Sequence, residues 1–271
     1  MRSRRIVAVE LALVASLVAC GGSAPAAASP EPEARLSAEP KPVGEAPASA
    51  PPTATAAHAE PKPDVPPPGS PLDRVMQAHF KDALLIREAV IAGTPERAAD
   101  PAKAFSEIQD VDKLPAGWSG FVARMRDAAR RITDSTSAAQ AAAAAADLGV
   151  SCGMCHKQHG GPKVAFEPAP VADQTVMSRM KRHVWATERL WEGLFVPSDE
   201  AWLAGAKALG TEPFPKEALK TGGVHARSAA SDFVKLAAKA PGAKGADERA
   251  NLYAEMLVSC GACHQAVKGV R

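Results

Sequence analysis

The sequence predicts an all-α protein built as two tandem four-helix bundles. No segment reads as a strand, the apolar residues of the first predicted helix recur at three- and four-residue steps, and a block of about one hundred residues occurs twice. Val75-Met76-Gln77-Ala78-His79-Phe80 matches Arg179-Met180-Lys181-Arg182-His183-Val184 at an offset of 104, and both copies keep Met-x-x-His. Phe121-Val122-Ala123-Arg124 then meets Val224-His225-Ala226-Arg227 at an offset of 103, while Cys-x-x-Cys-His recurs at an offset of 108. A loop about five residues longer explains the difference, Asp134–Ser137 corresponding to Pro241–Gly245.

The elements follow in chain order. Residues 1–19 have the outline of a signal peptide: basic Arg2, Arg4 and Arg5, then an apolar run from Ile6 to Ala19 interrupted by Glu10. Nine uninterrupted residues, Leu11–Ala19, suffice for export but not for a spanning helix. Leu17-Val18-Ala19-Cys20 resembles the lipobox of bacterial lipoproteins, which implies acylation of Cys20. Residues 20–70 then read as a tether. Gly21–Ser70 holds thirteen of the twenty-four prolines, thirteen alanines and no Phe, Trp or Tyr, so no core can form there. Such a segment spans about 40 Å as a coil and about 155 Å if extended.

Two domains are expected next, at 71–165 and 173–271. The first breaks into helical stretches at 71–92, 96–109, 115–133 and 136–158, the second at 174–195, 198–209, 215–239 and 246–267. Val75, Met76, His79, Phe80, Ala83, Ile86 and Val90 form the amphipathic stripe of the opening helix. Pro95, Pro101, Pro115, Pro197, Pro213 and Pro215 stand near helix starts or in connections, where a missing N–H does least harm. The run Ala141–Ala146 is a strong helix former that permits close approach of a neighbour.

The chemistry lies in the cysteines. Beyond Cys20 there are four, in Cys152-Gly153-Met154-Cys155-His156 and Cys260-Gly261-Ala262-Cys263-His264. Both have the spacing of c-type haem attachment, in which two thiols three positions apart on a helical turn add to the porphyrin and the adjoining histidine reaches the iron. Zinc would require the two cysteine pairs to converge, yet each belongs to its own repeat; a thioredoxin-like pair would require a βαβ setting. Two covalently bound haems are therefore expected, with His156 and His264 as proximal ligands.

Only seven residues follow His264, none of them histidine or methionine, so a second protein ligand must come from upstream. Attachment at the carboxyl end of a domain resembles the class II cytochromes, the cytochrome c′ and c556 group. That resemblance implies four-helix bundles with the haem on the last helix. The start of the first helix then lies beside the end of the fourth, which brings Met-x-x-His toward the iron. His79 and His183 are the favoured distal ligands; Met76, Met180 and Met177 are alternatives, and an open site is the third option. In relatives of this class a residue about two turns before the histidine of Met-x-x-His can face the iron, which in this chain would be Asp73 and Met177. His58 in the tether, His159 in a Gly-Gly-Pro turn after the first motif and His225 read as solvated or structural, with iron ligation by His159 or His225 as the alternative; the four tryptophans read as packing the bundle or flanking haem, and Arg87 and Arg189 as candidate partners of haem propionates.

The expected function is electron transfer by a dihaem c-type cytochrome held on the periplasmic side of a bacterial membrane through Cys20, with redox proteins of the cell envelope as partners. The alternative is a gas-binding or sensing module with a five-coordinate haem; peroxidase activity has little to support it, since nothing suggests a distal acid–base pair. A net charge of +2 with mixed signs argues against nucleic acid as a partner. The inner or outer membrane, the potentials and the oligomeric state are not set by the sequence.

Overall fold

The computed structural model describes residues 67–268 apart from 109–113, 116, 164, 172, 174, 212, 213 and 215. The export segment 1–19, Cys20, His58 and the tether up to residue 66 lie outside the described residues. Among those described, the regular structure is entirely helical, with no strand. Nine α-helices occur there: α1 (Pro71–Ile91), α2 (Ala99–Ser106), α3 (Ser119–Thr133), α4 (Ala138–His159), α5 (Val176–Phe195), α6 (Asp199–Thr211), α7 (Lys216–Thr221), α8 (Gly223–Lys239) and α9 (Gly245–Lys268). None of them is long and apolar enough to cross a membrane.

Local chemistry starts the long helices. Ser70 Oγ accepts from the Asp73 N–H ahead of α1, with Pro71 in the first turn; Ser137 Oγ accepts from the Gln140 N–H ahead of α4; and Thr175 Oγ1 accepts from the Ser178 N–H ahead of α5. Three boundaries differ from expectation. The stretch expected at 96–109 opens with a 3-10 turn, Pro95–Ala98, before α2 begins. The helix expected from 115 begins at Ser119, because Gly117 takes a φ of +87°, outside the helical range. The stretch expected at 215–239 is divided into α7 and α8, with Gly223 at a φ of +63°.

Helix packing runs within and between the repeats. In the first, α3 lies on α4, α2 on α3, and α1 on both α2 and α4; in the second, α5 lies on α6, α8 on α9 and on α6, and α5 on α9. Across the repeats, α4 lies against α9 and α5, and α1 against α9. All of these helices belong to one compact unit. The alanine run makes the α4 contacts close: Ala141, Ala142, Ala144, Ala145 and Ala146 are all buried. Leu148, Leu190, Met256 and Leu257 supply the bulk, each worth about 1.5–3 kcal/mol on burial. Trp191 and Tyr253 meet with ring centroids 5.9 Å apart, and Trp202 Nε1 donates to the Ala240 carbonyl at 2.8 Å, satisfying a buried indole.

Candidate functional site

The first Cys-x-x-Cys-His lies in the last two turns of α4, where a spacing of three puts Cys152 and Cys155 on one face. Both thiols and His156 line a cavity of about 590 Å³. Its walls are mostly apolar. Helix α1 contributes Met76, His79 and Phe80, α3 contributes Phe121 and Met125, and α5 contributes Trp191, Glu192 and Phe195. The volume falls in the range of about 300–1,000 Å³ usual for cofactor and small-molecule sites.

The histidines are held in distinct ways. His156 Nδ1 stands 2.7 Å from the Phe195 carbonyl, and a donated N–H there leaves Nε2 with the free lone pair. At His264 it is the Ile91 carbonyl that plays this part, its hydrogen bonding working against the downward push of burial. Ile91 and Phe195 are 104 positions apart, the spacing that also relates Met76 to Met180. The histidine of each motif thus meets the carboxyl end of the other repeat's first helix. Further bonds follow the same path: Gln265 Nε2 donates to the Gly93 carbonyl, and Lys268 Nζ donates to that of Ala92 at 3.1 Å.

This crossing explains the glycine after the first cysteine of each motif. A Cβ on Gly153 would lie 2.1 Å from the Leu194 carbonyl oxygen, and one on Gly261 would lie 2.8 Å from that of Val90. No side chain fits at the first position without backbone movement.

Desolvation dominates the electrostatics. It pushes the Cys152 and Cys260 thiols up to about 12 and raises Cys155 and Cys263 as well, so all four stay protonated at neutral pH. It also lowers His79, whose Nδ1 is buried without a hydrogen-bond partner and whose ring packs 5.0 Å from that of Phe105. His183 is pushed down to about 4, first by burial and then by the charge of neighbouring His264. Phe233 and Phe214 pack on it at 4.8 and 5.0 Å. His79 and His183 are therefore neutral imidazoles, the form that binds a metal ion. Among the described residues, no three His, Cys, Asp or Glu side chains converge to hold a bare ion.

Met76 lines the cavity, Met180 is half-buried and Met177 is 66% exposed. His159, read from sequence as a turn residue, instead closes α4 and lines the cavity, its ring against Trp118 and Phe121, because the helix runs past the motif to reach it. His225 is exposed. Arg189 is ion-paired with Glu192 and stacks over Phe166 and Trp185. Sequence reasoning has Trp191 packing the bundle or flanking a haem but, keeping each repeat to itself, misses that Trp191, Glu192 and Phe195 wall the cavity of the other repeat's motif. The shared glycine of the two motifs was the available signal. The chain matches no protein-family model, no curated protein and no solved structure.

Proposed function

We propose that the chain is an exported, lipid-anchored electron-transfer protein of two tandem four-helix units, 71–165 and 173–271, each carrying one covalently attached haem on its last helix. The observation that carries this reading is the cavity at the end of α4, which both thiols of one motif, its histidine and a half-buried neutral imidazole from α1 all line. The residues present fit the group. Two thiols share one helical face, the lining is apolar, and His79 Nδ1 is a buried nitrogen with no partner in the protein.

When bound, haem supplies a one-electron ferric–ferrous couple. Cys152 and Cys155, and likewise Cys260 and Cys263, would hold it through thioether bonds. His156 and His264 would bind the iron, their rings held by the Phe195 and Ile91 carbonyls. His79 and His183 would supply the second protein ligand, better placed than exposed Met177. Phe80, Phe105 and Trp191 keep water from the first site, and Phe214 and Phe233 pack against His183 at the second. Through Cys20 and the tether, both units stand off a bacterial envelope membrane and exchange electrons with redox proteins there.

Mass spectrometry of the mature protein tests attachment: the expected mass exceeds that of the lipidated polypeptide by two haems, and free sulfhydryls would refute the reading. Visible and EPR spectra test ligation. Low-spin ferric signals are expected from both sites, whereas high-spin ferric iron in both would replace the carrier with a gas-binding module.

A further inference from the structure

Resting on the haem reading above, we propose that Arg87, supplied by the first repeat, lies beside the second haem and holds its reduction potential above that of the first. Arg87 is 5% exposed, and its Nε and Nη1 are buried with no hydrogen-bond partner. Two guanidinium nitrogens taken out of water without a hydrogen-bond partner are costly, so a group absent from the polypeptide is expected to meet them.

Position identifies that group. Arg87 shares a face of α1 with Val90 and Ile91, three and four residues on. The Val90 carbonyl faces Gly261, and the Ile91 carbonyl takes the bond from His264. The guanidinium therefore lies about one turn earlier along the same seam, and its positive charge is felt at Cys260 and at Tyr253. The repeat offset of 104 makes Trp191 its counterpart at the other site. Trp191 lines the first cavity and packs on Gly149, one turn ahead of Cys152. Equivalent places beside the two sites thus hold an indole and a cation. Glu188, whose charge is also felt at Tyr253, has a half-exposed side chain and stands 4.0 Å from Arg189.

The consequence has a definite sign. Reduction adds one electron from the donor to ferric iron and lowers the charge of the site by one, so a fixed cation in low dielectric favours the ferrous state. The sign is the same if the guanidinium pairs with a haem carboxylate, because that neutralises a negative charge that would favour ferric iron. No charge occupies the Trp191 position, so an electron entering the protein rests on the second haem.

A mediated redox titration of the full-length holoprotein, followed spectroscopically, tests this. Two one-electron steps are expected. In Arg87→Met the upper step moves down, the constant for sharing one electron between the haems falling about tenfold, equivalent to about 59 mV, while the lower step stays in place. Arg87→Lys keeps a cation and keeps the upper step; Arg87→Gln repeats the loss should the Met variant not fold. Unmoved steps in Arg87→Met, a shift of the lower step instead, or an equal shift in Arg87→Lys would each overturn the role of Arg87 while leaving the haem reading intact. Absence of the two-haem mass increment would overturn both.

Discussion

Gly153 shows how little room the site allows. Its missing Cβ is the space through which the Leu194 carbonyl approaches α4, and the contact that an alanine would make is with backbone, which cannot swing aside. Gly153→Ala is expected to cost about 1–3 kcal/mol in thermal or denaturant unfolding, and Gly261→Ala less, because its carbonyl neighbour stands farther off. The thiols of the haem-free chain yield a second prediction. With Cys152 and Cys260 held up to about 12, chiefly by desolvation, little thiolate forms in the folded protein until the pH nears that value. Alkylation at mildly alkaline pH is expected to label Cys155 and Cys263 first and the other two only on unfolding; equal labelling of all four would contradict the burial argument. On the proposed haem reading, thioether formation is expected to precede closure of the helices around the motifs.

At the level of the helices, most of the layout was legible from the apolar spacing and from the prolines that mark helix starts and connections. Ser70, Ser137 and Thr175, which that reading passed over, cap α1, α4 and α5, each accepting the N–H that a cap should. Ser137→Ala should cost about 1 kcal/mol and loosen the first turn of α4, detectable by a lower melting temperature and faster amide exchange there. Periodicity read less well where glycine changed the path, as at Gly117 before α3 and Gly222-Gly223 between α7 and α8, since backbone handedness leaves no trace in an apolar pattern. The site was half legible. Motif spacing named Cys152, Cys155 and His156, and the repeat drew attention to His79 and His183. What sequence could not disclose was that Phe195 belongs to the surroundings of His156, because helices from different repeats meet only through tertiary packing.

Across the whole molecule, the seam where α4 lies on α9 and each first helix reaches the opposite motif makes the repeats depend on one another. Residues 71–165 and 173–271 produced as separate chains are expected to lack a cooperative thermal transition and to regain one on mixing; a sharp melt from either fragment alone would show that the seam is dispensable. Duplicated genes ordinarily leave one copy free to decay or to be exchanged for a foreign version. Here the carbonyls of Ile91 and Phe195 act as mutual hostages, since loss of either half strands the imidazole of the survivor. Selection can therefore retain or discard the pair only as a unit, and a transplanted half must arrive with a helix end already shaped for its host.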